Sequence, residues 1–173
     1  GKRLGQVKLG NKVVAYLAVL AAIAGTTLSI VLLIALGKFL FGVFQNISAY
    51  AWWAPLLWTP LVTIGIVYVL TRYVPGAAGT GSPHAIIGTD TRLFENERGK
   101  FLSVKIAVGK IFLTATAFFA GLSLGNEGPA VQIGASLMHS IRKVTDYAKE
   151  ITVSSLIMIG NGIGIAVCFG SAL

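Results

Sequence analysis

Acidic side chains are scarce in this chain of 173 residues, with six Asp and Glu against fourteen Lys and Arg. Charged residues of both signs make up 12%, about half the share usual in soluble domains, and 55% of the chain is hydrophobic. So few charges cannot cover a soluble globule, and the same numbers exclude an intrinsically disordered chain. Cysteine is nearly absent. Cys168 alone permits no intrachain disulfide framework and no cysteine-rich metal site, and it is expected to fill space as a small apolar side chain. No pair of histidines or acids has metal-ligand spacing, and no nucleophile elbow or phosphate-binding loop is present. Nothing in the sequence therefore points to an enzyme or to a resident cofactor. The net charge of +8 would suit nucleic acid, but the apolar bulk argues against that partner. In a membrane protein, surplus Lys and Arg marks cytoplasmic loops instead.

What the chain has in quantity is long uncharged runs. No charge falls between Lys12 and Lys38, or between Lys38 and Arg72. About 20 apolar residues cross a hydrocarbon core as a helix, so these windows predict spans at about 13–36 and 51–73. Pro55 and Pro60 are expected to kink the start of the second span or hold it in the interface. Trp52, Trp53 and Trp58 suit an aromatic belt there. A signal peptide is the competing reading of the first window, but the window is too long for an ordinary hydrophobic region, and no clear small-residue cleavage site follows it. A polar stretch over 74–100 leads to an apolar segment at about 101–124. A shorter helix is expected at about 129–141, and a last apolar run at about 151–169. That run reaches Leu173 without a polar tail, which suggests the front part of a longer protein. Lys2, Arg3, Lys8 and Lys12, with Arg92, Arg98 and Lys100, put the N-terminus and the 75–100 loop in the cytoplasm by the positive-inside rule. The inner (plasma) membrane is the expected location.

Two glycine-proline interruptions carry the chemistry. Gly79-Thr80-Gly81-Ser82-Pro83 predicts a helix over about 82–89, with Ser82 as N-cap and Pro83 as its first residue. Gly125-Asn126-Glu127-Gly128-Pro129 predicts a second start, with Gly128 and Pro129 in the same two parts. A helix start leaves N–H groups without acceptors and carries partial positive charge. Within a membrane this is costly unless an anion, water or protein supplies acceptors. Two such starts aimed at one point make an anion site containing no full cation, a device of transporters built from interrupted helices. Glu127 is the only acid between 111 and 141. A carboxylate at membrane depth costs roughly 2.5–3.5 kcal/mol on the insertion scale and is a functional candidate by default. At a helix start it can occupy the place of an anion, and protonation would release it. The bland alternative is an ordinary glycine-rich turn with a dipole-favoured acid.

At these residues the sequence resembles the CLC family of chloride channels and chloride/proton antiporters. The family's Gly-Ser-Gly-Ile-Pro signature stands here as Gly79-Thr80-Gly81-Ser82-Pro83. Its Gly-(Arg/Lys)-Glu-Gly-Pro signature stands as Gly125-Asn126-Glu127-Gly128-Pro129, continuing Ala130-Val131-Gln132-Ile133-Gly134. The resemblance implies an all-α integral membrane fold, the first part of an inverted-repeat transporter with tilted and interrupted helices. It implies chloride as the transported ion, protons as its possible counter-substrate, a lipid bilayer as surroundings and a homodimer in the full-length protein. Thr80 would place its hydroxyl at the central anion, with the N–H groups of Gly81 and Ser82 nearby. N–H groups of Asn126, Glu127 and Gly128 would face the outer anion site, and Glu127 would be the gating, proton-exchanging glutamate. Threonine for serine at 80 adds a methyl that tightens or shifts the site. Asn126 replaces the family's basic residue, removing positive potential beside the gate. Lys110 stands where many members carry a lysine, either tuning the local potential or snorkelling to the interface. The family's Gly-x-Phe-x-Pro segment, anion-binding tyrosine and internal proton glutamate do not occur in these residues, so channel and antiporter both stay open.

The remaining candidates are weaker. His84 reads as a solvated loop-edge residue, His139 as interfacial, and Asp90, Glu95 and Glu97 as a solvated loop. Two other functions stand beside chloride transport. One is a broken-helix carrier of another anion such as fluoride. The other is a non-conducting membrane fragment or scaffold.

Overall fold

The structure is a computed structural model that describes residues 2–89, 99–145 and 151–170, without the side chains of 2–11 and of His84. Helices account for nearly all of it, and no strand occurs among the described residues. Asp90, Glu95 and Glu97 and the basic residues Arg92 and Arg98 lie outside the described residues, so the loop expectations made for them are not addressed.

The first helix, α1, is continuous over Lys2–Tyr50, 49 residues where a span of about 13–36 was expected. At 1.5 Å per residue it is about 74 Å long, well over the thickness of a hydrocarbon core. No proline interrupts it, and single glycines such as Gly25 and Gly37 lower helix propensity without ending a helix. Lys38 consequently sits on the exposed face of α1, whereas the sequence placed it in an interhelical loop. The turn from α1 into α2 is only Ala51–Trp53. α2 spans Ala54–Tyr73, with Pro55 in its first turn, where the missing N–H costs nothing, and Pro60 inside the helix. Trp52 and Trp53 are exposed, as a belt requires. Trp58 instead donates its Nε1–H to the Phe119 carbonyl at 3.0 Å, and Thr59 donates to Ala120 at 2.7 Å.

A 3-10 turn, Pro75–Ala77, follows, then the short helix α3, Ser82–Gly88. α4 covers Val104–Phe119 inside the expected 101–124 window. It starts on Ser103, whose Oγ accepts from the Ile106 N–H, and this cap explains the later start. It ends in a Schellman closure, in which Leu122 N–H bonds the Ala117 carbonyl and Gly121 N–H bonds that of Phe118. α5 covers Glu127–Ser140, α6 is the single turn Arg142–Thr145, and α7 covers Val153–Gly170.

α5 is the axis of the assembly. Ile30, Leu33 and Ile34 of α1 pack with Ala130 and Ile133 of α5 and Ala107 of α4. On another face, Ala85 of α3 and Ile157 of α7 pack with Val131 and Ala135 of α5. α5 and α7 approach backbone to backbone at Gly134 and Gly160. A third cluster, Val74, Ala77, Ile106 and Leu113, ties the end of α2 and the 3-10 turn to α4. Among the described residues, four helical segments have the length and apolar character to cross a membrane: 12–50, 54–73, 99–119 and 153–170. The chain is an all-α integral membrane protein.

Candidate functional site

The two glycine-proline loops are separated by more than forty residues in sequence and are in direct contact in space. A Cβ added to Gly128 would stand 2.2 Å from the Thr80 carbonyl oxygen, and one added to Gly81 would stand 2.9 Å from the Gly128 oxygen. Neither place has room for a larger residue. Gly81 also has φ +93°, a left-handed conformation that side chains other than glycine disfavour. The glycines thus let two backbones close on each other.

The caps differ from the sequence expectation. Gly81 is the N-cap of α3, and Ser82 is already its first helical residue. The left-handed turn at Gly81 sets the helix entry one residue early. At the second break Asn126 is the cap, and Glu127 opens the helix, with Pro129 in its first turn. The first N–H donating along α3 is that of Ala85, to Gly81, and along α5 that of Ala130, to Asn126. The N–H groups of Ser82, Glu127 and Gly128 therefore have no acceptor within their helices. α3 has only seven residues, so its end charge is weaker than that of the fourteen-residue α5.

Beside the contact lies a cleft of about 680 Å³. Gly79, Thr80 and Ser82 line it from one loop, and Gly125, Glu127, Gly128 and Pro129 from the other. α4 contributes Lys110, Thr114 and Leu113, and α2 contributes the apolar Ile66 and Leu70. Of the six residues expected at the site, Thr80, Ser82, Glu127 and Gly128 reach the cleft. Gly81 is buried against Gln132, and Asn126, the N-cap residue of α5, does not line the cleft. The Asn126 Oδ1 is buried without a hydrogen-bond partner. Thr80 and Glu127 are exposed within this chain, facing the open space of the cleft. Glu127 is the sole acid among the described residues.

Two side chains fix the loop that carries Thr80. Lys110 is 4% exposed and donates to the carbonyls of Ala77, at 2.8 Å, and Gly79, at 2.5 Å. It does not snorkel to an interface. Its ammonium stays inside the protein and pins the backbone on both sides of Ala78. Gln132 is fully buried, and its Nε2 donates to Gly76, at 2.8 Å, and Phe101, at 3.3 Å. Gln132 joins α5 to both ends of the segment that frames the site. It lies within the continuation of the second motif, where its position alone points to no role. An amide on a helix of Ala, Val, Ile and Gly was the available signal. His139, expected at the interface, is buried, and its Nδ1–H donates to the Leu102 carbonyl at 2.9 Å. Cys168 is half-buried against the first hydrophobic cluster, consistent with an apolar filler. Among the described residues no group of three or more His, Cys, Asp or Glu could hold a metal ion.

Comparison with known proteins bears on the family of the chain. The sequence profile of a family described as voltage gated chloride channel matches residues 61–173, a region holding both loops. The chain is 29% identical over 122 residues to an H(+)/Cl(-) exchange transporter ClcA of Vibrio parahaemolyticus. It is 30% identical over 122 residues to the ClcA of Vibrio cholerae. Each alignment covers 70% of this chain and 25% of the relative, so the chain spans about a quarter of the length of these curated relatives. No solved structure matches it significantly.

Proposed function

The chain belongs to the voltage-gated chloride channel family, and on that premise we propose that it supplies one side of a chloride pathway across a membrane. Chloride occupies the cleft between the two loops. The Thr80 hydroxyl and the N–H group of Ser82 coordinate it from one loop, and the N–H groups of Glu127 and Gly128 from the other. The Glu127 carboxylate competes with chloride for the α5 N-terminus and leaves when it takes up a proton. The observation that carries this reading is the contact of Gly128 with Thr80 beside a cleft that also holds Glu127. A halide needs several N–H or O–H donors gathered in low dielectric, and helix starts provide them without a fixed opposing charge. Asn126 adds no cation, so selection rests on the donors and on Lys110, whose buried ammonium raises the potential from behind the loop.

The N-terminus is placed in the cytoplasm by its basic residues, and the full-length protein acts as a homodimer in the inner membrane. Chloride and proton fluxes from vesicles containing the full-length protein test the gate. Glu127→Gln imitates the protonated carboxyl. It is expected to leave chloride moving at a changed rate and to abolish any proton movement coupled to it. Coupling unchanged in that variant would remove Glu127 from the gate. If fluoride, but not chloride, competes for flux, the same cleft serves a different halide.

A further inference from the structure

A second pocket, of about 470 Å³, lies where α2 ends and α4 begins. The membrane-length segments 54–73 and 99–119 both terminate at it, which sets the pocket at the boundary between hydrocarbon and water. Its polar wall is Tyr73, Lys100, Ser103 and Lys105, over a floor that includes Val74 and Ile106. Both lysines are exposed, and no carboxylate among the described residues lines the pocket. Arg72, also exposed, adjoins Tyr73. Two ammonium groups, a phenol and a hydroxyl above an apolar floor match a molecule with an anionic head and an apolar body.

We propose that this pocket binds the phosphate headgroup of an anionic phospholipid. The ammonium groups of Lys100 and Lys105 receive the phosphodiester, the Tyr73 hydroxyl donates to it or to the glycerol oxygens, and the acyl chains run along the outer face of α2. Basic pockets between membrane helices recognise headgroups by this combination of charge and depth. Free phosphate satisfies the cations but leaves the apolar floor without a partner, so the lipid is favoured. The rear wall is the contact between Gly76 and the Lys100 carbonyl, so a bound headgroup bridges α2 and α4 behind the segment that leads to Thr80.

The test uses the full-length protein, purified from a mixture of phosphatidylglycerol and phosphatidylcholine, with retained lipid counted by native mass spectrometry. The wild type is expected to retain phosphatidylglycerol preferentially. The preference should fall about fivefold for each lysine removed in Lys100→Gln and Lys105→Gln. Lys105→Arg should keep it, and so should Lys38→Gln, which removes a distant exposed charge on α1. Inorganic phosphate at millimolar concentration should not displace the lipid. The proposal is overturned if the double variant keeps the wild-type preference, or if Lys38→Gln loses it equally, which would mark general surface charge. It is overturned also if inorganic phosphate empties the site, which would mark a free phosphate as the ligand. Each readout is independent of chloride flux, so failure here leaves the transport proposal untouched.

Discussion

α2 carries Leu, Ile, Val and Trp along twenty residues and buries none of them. α5 is shorter and more polar, yet ten of its fourteen residues are buried, among them Gln132, Ser136 and His139. In water the order would be reversed, because apolar area drives burial there. In lipid the surroundings are as apolar as leucine, so burial gives little advantage to a large aliphatic side chain. What gains from the interior is a small residue that allows close packing, or a polar group that finds a partner. α5 has both kinds. Gly128 and Gly134 admit neighbouring backbones, and Gln132 and His139 satisfy the carbonyls of Gly76, Phe101 and Leu102. The site therefore stands on the least apolar of the five helices longer than seven residues, and the helix left unburied within the chain is one of the more apolar.

The contrast breaks most strongly at Gln132. Gln132→Leu is apolar and similar in volume, and on hydropathy alone it should favour a membrane helix. It removes both donors to the Gly76 and Phe101 carbonyls. Each buried acceptor left alone costs roughly 1–3 kcal/mol, so the variant should lose about 3 kcal/mol of stability, with chloride flux falling in step as the Thr80 loop loosens. Thermal unfolding of the full-length protein in detergent measures it. An unchanged midpoint would mean the amide is not what holds the loop.

A smaller loss is expected from Gly128→Ala. The added methyl meets the Thr80 carbonyl oxygen, a backbone atom that cannot swing aside. Overpacking of this kind costs typically 1–3 kcal/mol. Because the strain falls on the contact between the two loops, flux should fall more than stability does. Equal flux in the variant and the wild type would show that the loops need not touch for the site to work.

Lys110→Met separates charge from scaffold. The ammonium gives two hydrogen bonds to Ala77 and Gly79 but is itself a buried charge, and removing it relieves desolvation. The two effects oppose, so stability should change by less than about 1 kcal/mol. Chloride affinity, read from the concentration dependence of flux, should weaken as the positive potential behind Gly79 disappears. Affinity unchanged in this variant would leave Lys110 as a tether only.

Sequence carried the breaks well and the burial poorly, for reasons visible in particular residues. Gly79 to Pro83 and Gly125 to Pro129 could be read as interruptions because proline and glycine restrict the backbone locally. Glu127 was conspicuous because no other acid lies near it in sequence. The extent of α1 was hidden because Lys38 and the polar residues near Asn46 look like a loop, while a helix tolerates them. The N-caps were displaced by one or two residues because the left-handed turn at Gly81 depends on the facing strand of backbone at Gly128, a tertiary contact. His139 reads as interfacial, and Lys110 as either interfacial or tuning the local potential, because polar side chains near the end of an apolar run usually go to the interface. Both instead reach carbonyls on segments distant in sequence, Leu102 for the first and Ala77 and Gly79 for the second. Nothing local to either residue announces such a partner.

The smallest effect is expected on the outward face of α2, and it sharpens the comparison from the other side. Ile64 is 70% exposed within the chain, and Ile133 on α5 is fully buried. Truncation to alanine removes the same atoms in each case. At Ile133 it opens a void among Ile30, Leu33 and Ala107, where lost packing contacts cost about 2 kcal/mol or more. At Ile64 lipid chains fill the space, so the change should stay within about 0.5 kcal/mol. Unfolding both variants in the same lipid-detergent mixture gives the difference directly. If Ile64→Ala were as damaging as Ile133→Ala, the outer face of α2 would be packed against protein. The apolar wall of the cleft would then lie between two layers of protein instead of at the edge of the bilayer.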